Sequence, residues 1–205
     1  FLVKVPGGDF NVVGGDFLMY NNTTCGNIII LTSTGAVSKV PTDLNNSPAG
    51  ADNVMKVLVD STDRIYVSGK FEQYGGSVPC NKIIRLYKNS FNNWVPDLTF
   101  AVISQGLDNG TTNESTAGFD MLINDNGDLV VGGNFGTVQG SAVQDIAVLS
   151  ETGVLSPNSE NTNGVFSSTG GIGAPIVKTI LNLGDRFIVG GIFNSYSNIG
   201  IPAIS

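Results

Sequence analysis

The chain of 205 residues contains no histidine. This removes Ser-His-Asp and Cys-His catalytic sets and histidine-based zinc sites. Two cysteines, Cys25 and Cys80, cannot build a four-cysteine zinc site or a disulfide framework. The turn Asp125-Asn126-Gly127-Asp128 offers carboxylates to a calcium ion but lacks the spaced ligand set of a calcium loop, so it reads as a hairpin turn. Gly170-Gly171-Ile172-Gly173-Ala174-Pro175 has the composition of a phosphate-cradling loop. No Lys-Ser/Thr pair follows it, and it reads as a boundary loop. The acidic residues sit in turns, apart from Asp120, which is expected at a strand edge. No acid/base pair is identified. The expectation is therefore a non-enzyme with no metal and no cofactor. Weak ligand-contact candidates are the aromatics Tyr20, Tyr74, Tyr196 and Trp94, each with a packing role as the alternative.

Ten basic against 17 acidic residues give a net charge of −7, which disfavours a phosphate-tracking nucleic-acid binder. No apolar run approaches the ~20 residues that cross a bilayer as a helix. Asn21, Asn22, Asn45, Asn109 and Asn113 head Asn-x-Ser/Thr sequons, as Asn-rich loops do by chance. The hydrophobic share of 41% against 13% charged residues describes a chain that folds.

The elements that would carry any site are arranged as a repeat. Four segments end on Gly-x-Phe: Asn11 to Phe17, Ile65 to Phe71, Leu129 to Phe135 and Phe187 to Phe193. Their phenylalanines are 54, 64 and 58 residues apart, and Gly15, Gly69, Gly133 and Gly191 precede them by two. Three residues after each Phe stands Tyr20, Tyr74, Val138 or Tyr196. An apolar run lies about fifteen residues before each Phe, and another follows at Ile28 to Leu31, Ile83 to Leu86 and Ile146 to Leu149.

The runs are short, rich in Val and Ile, and bounded by Gly, Asn, Asp and Ser, which predicts strands. Turn residues join the first two runs of each repeat into a hairpin. On the second run, Ile65, Val67, Gly69 and Phe71 point one way, and Tyr66 and Ser68 the other. Both sets are apolar or small, so the sheet is expected to be covered on both faces. An all-β fold follows, and a β-propeller with blades of about 58 residues fits best. The expected blades are 1–50, 51–117, 118–173 and 174–205: three nearly complete and most of a fourth, an arc of a larger ring. A β-helix is the rival. Trp94 to Phe100 is the best outer strand, with Ala36 to Val40 and Gly153 to Leu155 weaker. The polar stretches Asn45 to Asn53, Gln105 to Gly118 and Pro157 to Pro175 are expected loops. Cys25 and Cys80 fall at equivalent points of neighbouring repeats, further apart than the ~4.4–6.8 Å between Cα atoms that a bridge requires, so two separate thiols are expected.

These residues resemble the delta-60 repeat family. The matching stretches are Val131 to Phe135, Asp145 to Leu149 and Thr152-Gly153. Val13 to Phe17, Asn27 to Leu31 and Thr34-Gly35 match in the same way, as does the Asp-x-x-Phe of Asp97 to Phe100. The second copy departs with Ser68 in place of the first glycine. The resemblance spans nearly the whole chain and implies propeller-like repeats, found in phage virion proteins and in secreted or surface proteins of bacteria. It implies no catalytic residues. With the low charge and the Asn/Gly/Ser/Thr richness, it points to a structural or docking module of a phage virion, in a tail component such as a nozzle or fibre. Its partners would be other virion proteins or further blades of the same parent chain, since a start at Phe1 suggests a piece of something longer. The alternative is a secreted or cell-surface bacterial propeller that binds glycan or protein.

Overall fold

A computed structural model describes residues 2–4, 10–41, 44–45, 53–101, 105–108, 117–156, 166–167, 175–184, 186–196 and 199–200. The described residues form strands and turns, with no α-helix among them. Four antiparallel sheets follow one another along the chain. The first has strands Leu2–Lys4, Phe10–Gly14, Ile28–Thr32 and Val37–Lys39. The second has Val54–Val59, Ile65–Gly69, Ile83–Lys88 and Trp94–Pro96. The third has Ala117–Ile123, Leu129–Asn134 and Ile146–Leu149, with Leu155 bridging back to Leu149. The fourth has Ile176–Asn182 and Phe187–Ile192. Within each sheet, strands neighbouring in sequence pair.

Side-chain alternation decides how the sheets meet. Ile65, Val67 and Phe71 enter a core shared with Val12, Ile28 and Ile30 of the first sheet. Tyr66 enters the next core, shared with Met121, Val131 and Phe135 of the third. Val130 likewise joins Val177 and Ile180 of the fourth. Each of these three cores is thus filled from two successive sheets. The second and third sheets are covered on both faces, as their two-sided apolar pattern requires.

Three of the first strands carry a β-bulge at the same place: Met55, Phe119 and Lys178 are each the extra residue. The bulge turns a carbonyl toward the second strand. There Gly69, Gly133 and Gly191 leave room for Asn53 O, Ala117 O and Ile176 O. The glycine one position earlier does a different job, at the joint between sheets. A Cβ on Gly14 would stand 2.5 Å from Val54 Cγ1, and one on Gly132 2.5 Å from Val177 Cγ1. The second repeat has Ser68 at this position, and the facing residue of the third sheet is Gly118 instead of valine. Ser68 Oγ then donates to Gly118 O at 3.1 Å.

Several sequence expectations are corrected. Asp120 is not at a strand edge: it lies inside Ala117–Ile123, directly after the bulge, and is buried. The outer strand of the second sheet ends at Pro96, and Asp97 to Phe100 is a turn. The stretches expected as loops contain short strands, because a two-residue strand has no periodicity to read. Each Gly-x-Phe is followed by a small hairpin: Met19–Tyr20 with Thr23–Thr24, Gln73–Tyr74 with Val78–Pro79, Thr137–Val138 with Ser141–Ala142, and Ser195–Tyr196 with Ile199–Gly200. Leu44–Asn45, Leu107–Asp108 and Phe166–Ser167 pair onto the hairpin of the repeat that follows them. Ala117 already opens the third sheet. The loop 170–174 and the turn 6–9 lie outside the described residues.

Candidate functional site

The polar side chains collect at the joints between sheets. The first group lies on the first strands, one residue beyond each bulge. Lys56 of the second sheet contacts Asp120 Oδ1 of the third at 2.5 Å. The other oxygen, Oδ2, accepts Thr179 Oγ1 at 3.1 Å and the Ile180 backbone N–H at 2.9 Å, both from the fourth sheet. One carboxylate thereby ties three consecutive sheets. A buried charge needs partners of this kind to offset its lost hydration.

The second group joins the outer part of the second sheet to the turn of the third. Asp60 sits at the start of a hairpin turn and accepts Thr62 N–H and Arg64 N–H on Oδ1. Its Oδ2 takes the Arg64 guanidinium at 2.6 Å and Tyr66 OH at 3.2 Å. Burial pushes the Asp60 carboxyl up, but the hydrogen bonds from Thr62 and Arg64 outweigh it and hold the group below the usual carboxylate range. Arg64 also reaches Glu151 Oε1 at 3.0 Å. Arg85 is buried between Asp97, held at 2.7 Å, and the Glu151 carbonyl, which accepts from its Nη1. Its guanidinium stands 4.4 Å from the Phe100 ring centroid. Asp97 Oδ1 caps the following turn by accepting Thr99 N–H and Thr99 Oγ1. Burial raises the Asp97 pKa and these bonds, with Arg85, more than reverse it.

Phe100 is fully buried, and its backbone neighbour Ala101 donates to Thr152 O at 2.9 Å. A Cβ on Gly153 would stand 2.5 Å from the Phe100 ring, and Gly153 has φ +77°. The Asp-x-x-Phe of one repeat and the Thr-Gly of the next therefore form one joint in this chain.

The aromatic candidates are placed apart and within packing. Tyr20, Tyr74 and Tyr196 belong to three different cores. Tyr20 OH donates to Gly35 O at 2.8 Å, and Tyr74 OH to Trp94 O at 3.3 Å. Tyr196 lies 4.9 Å from Phe166, centroid to centroid. Where the third copy has Val138, its neighbour Gln139 supplies the clamp, donating from Nε2 to Gly153 O at 3.0 Å. Trp94 is buried and edge-on to Phe10 of the first sheet at 6.1 Å. Phe71 and Phe135 are buried and Phe17 and Phe193 half-buried, each ring in the core on one side of its sheet. Cys25 and Cys80 are buried thiols in separate cores and form no disulfide. Burial pushes the Cys80 thiol up to about 12, with Lys82 opposing. Asp125 to Asp128 is a hairpin turn capped by Asn124, whose Oδ1 accepts from Asn126 and Asp128. No group of three or more potential metal ligands occurs among the described residues. No helix among them is long and apolar enough to cross a membrane.

One position was missed as special in the sequence. Asn27, Lys82 and Asp145 close the small hairpins, all buried and all at positive φ, 65°, 73° and 63°. Their N–H groups donate to Phe17 O, Phe71 O and Phe135 O, and their carbonyls accept from Gly15, Gly69 and Gly133. The backbone requirement is the same three times, but the side chains differ in charge. Lys82 escapes by pairing with Glu72 at 3.0 Å. Asp145 pairs with no cation among the described residues, and its Oδ2 finds no hydrogen-bond partner there. Burial pushes its carboxyl up to about 7, opposed only by the backbone hydrogen bond from Phe135.

Comparison with protein-family models and with curated proteins finds no match for the chain.

Proposed function

We propose that the chain is a non-enzymatic structural and docking module: an arc of a β-propeller whose blades are the four sheets, belonging to a phage virion as part of a tail component such as a nozzle or fibre. The observation that carries the structural role is the joint that recurs from sheet to sheet. Asp120 ties three sheets, and Arg85 and Phe100 tie the second to the third. Charges that could otherwise act on a substrate are spent on holding the stack rigid. Low charge and Asn/Gly/Ser/Thr richness suit a module that assembles with other virion proteins or with further blades. The reading is tested by antibody labelling of purified particles under the electron microscope, with antibody raised to residues 1–205. Label at the tail supports it. Absence of the chain from particles, by label and by mass spectrometry, overturns it.

A second reading, a secreted or cell-surface module that binds glycan or protein, is favoured by one feature. An open depression of about 390 Å³ beside the outer strand of the second sheet is lined by Tyr87, Pro96, Asp97, Leu98 and Thr99. Tyr87 and Leu98 are exposed there, an aromatic and an apolar surface beside polar groups. A glycan array with wild type and Tyr87→Ala separates the two readings.

A further inference from the structure

The small hairpin of the third repeat, Thr137–Val138 with Ser141–Ala142, fastens two other parts of the chain. Leu107–Asp108, which follows the second sheet, pairs onto Thr137–Val138, and the partners Leu107 and Val138 are both buried. Gln139 at the hairpin tip holds the end of the third sheet. Its Nε2 donates to Gly153 O at 3.0 Å, and its Oε1 accepts Leu155 N–H at 3.0 Å. The hairpin itself is held at its base by backbone bonds. Val143 N–H donates to Gly136 O at 3.2 Å, Asp145 N–H to Phe135 O at 2.9 Å, and Gly133 N–H to Asp145 O at 2.8 Å.

Asp145 is thus the base residue of this hairpin. It is 2% exposed, and its Oδ2 has no hydrogen-bond partner among the described residues. The other two repeats solve this position. Asn27 carries no charge, and Lys82 pairs with Glu72. The counterpart of Glu72 in the third repeat is Gly136, which has no side chain to offer. The elements that meet at this corner are Leu129–Asn134, the hairpin, Ile146–Leu149 and Leu107–Asp108. They carry one titratable side chain, Asp108, which is exposed and acidic, and no cation. Burial and the bond from Phe135 set the proton affinity of Asp145.

We infer that the third small hairpin is a proton-operated latch: loss of the Asp145 proton leaves an unpaired charge inside the fold, and residues 136–145 lift away while the sheets stay folded. Local opening returns the carboxylate to water by breaking a few bonds of two-residue strands. The neighbouring strand Leu129–Asn134 is paired on both sides and stays closed. Opening frees Leu107–Asp108 and releases Gln139 from Gly153 and Leu155, so the outer end of the joint between the second and third sheets loosens. The latch is closed in acid and loosens as pH rises. Its open population is expected to climb about tenfold per pH unit between the ordinary carboxyl value of 3.8 and the folded value of about 7, and to level off above that. The inference rests on the bonds of the hairpin and is independent of the virion reading.

Hydrogen–deuterium exchange of the 205-residue chain from about pH 4.5 to pH 8, corrected for the pH dependence of exchange itself, tests it. Protection across residues 136–145 is expected to fall about tenfold per pH unit up to about pH 7 and then to flatten, while Ile65–Gly69 stays protected. Asp145→Asn is expected to fold, as the equivalent Asn27 does, and to abolish the slope. Asn27→Asp is the reciprocal variant. It sets a carboxylate at the same backbone position of the first repeat and is expected to give residues 18–27 the same slope. Four results overturn the latch: protection in wild type that does not change with pH, a slope that survives Asp145→Asn, a first hairpin indifferent to Asn27→Asp, or Ile65–Gly69 losing protection in step with the hairpin.

Discussion

Ser68 faces Gly118 across the joint between the second and third sheets, where the other two joints set Gly14 against Val54 and Gly132 against Val177. Small meets large in two joints, and the sizes trade sides in the third. Each joint keeps a glycine on one side or the other, and at the second joint Leu107 Cδ1 also closes on Gly118.

That trade makes a coupling test. Gly132→Ser puts a Cβ 2.5 Å from Val177 Cγ1 and 2.7 Å from Ile180 Cδ1, so overpacking is expected to cost about 1–3 kcal/mol. Gly118→Val alone is expected to destabilise in the same way, since even its Cβ would stand 3.0 Å from Ser68 Cβ. Adding Ser68→Gly to Gly118→Val rebuilds the arrangement of the other joints and recovers much of the loss. A double-mutant cycle by urea unfolding reads the interaction, and additivity of the two changes would contradict the packing account.

Phe100 and Gly153 make the next test. Phe100→Ala empties a fully buried ring site between two sheets and is expected to cost about 3–5 kcal/mol. Gly153→Ala meets both the ring and a φ of +77°, a left-handed backbone that costs a non-glycine residue about 1–2 kcal/mol before any clash. Both are measured by denaturant midpoint, and a Gly153→Ala chain as stable as wild type would sink this description of the joint.

Asp120 is expected to tolerate change poorly because it serves three sheets. Asp120→Ala takes this ion pair from Lys56, leaves Thr179 Oγ1 without this acceptor, and removes the acceptor of the Ile180 N–H. The loss is expected at about 2–4 kcal/mol, below the fully buried limit because the Lys56 side chain keeps some contact with water. Lys56→Met is expected to cost less, since Asp120 keeps both bonds from the fourth sheet. Thermal unfolding of the two variants gives the order, and a reversed order would show that Asp120 acts mainly through Lys56.

The strand pairs and the two-faced burial of the sheets were legible in the sequence, because Val/Ile alternation at Ile65 to Phe71 and Leu129 to Phe135 reports directly on packing. The small hairpins were not, since two-residue strands such as Thr137–Val138 show no period. Their turns did carry a signal: Asn21-Asn22, Gly75-Gly76 and Gln139-Gly140 all have positive φ, a pattern of tight hairpins. Asp120 was misplaced because a bulge adds one residue to the strand and shifts its alternation, which no local pattern announces. The pairing of Asp97 to Phe100 with Glu151 to Gly153 was hidden for another reason. It joins residues some fifty positions apart through the Phe100 ring against Gly153 and one backbone hydrogen bond from Ala101 to Thr152, and a motif read in one repeat does not name its partner in the next.

Asp145 sets the pH response. Its carboxyl titrates near 7 in the fold against an ordinary value of 3.8, so the folded chain prefers the protonated form. A raised carboxyl contributes its full stability below pH 3.8 and loses it as pH rises through 7. Each tenfold difference in proton affinity between folded and unfolded chain is worth about 1.4 kcal/mol. Asp60 and Asp97 work the other way. Both are held below 3.8, so their contribution is present above that value and lost as pH falls through their folded values. Wild type is therefore expected to be most stable in mildly acid solution and to weaken toward pH 8. The first repeat already shows the remedy: Asn27 occupies the same backbone position, and its Oδ1 accepts Phe17 N–H at 3.3 Å with no charge to bury. Asp145→Asn is expected to match wild type within about 1 kcal/mol near pH 4 and to exceed it by a few kcal/mol at pH 8. Guanidinium unfolding at pH 4, 6 and 8 measures the gap, and a gap that stays constant or narrows with rising pH would place the ionised carboxylate in a better-solvated site than its burial implies.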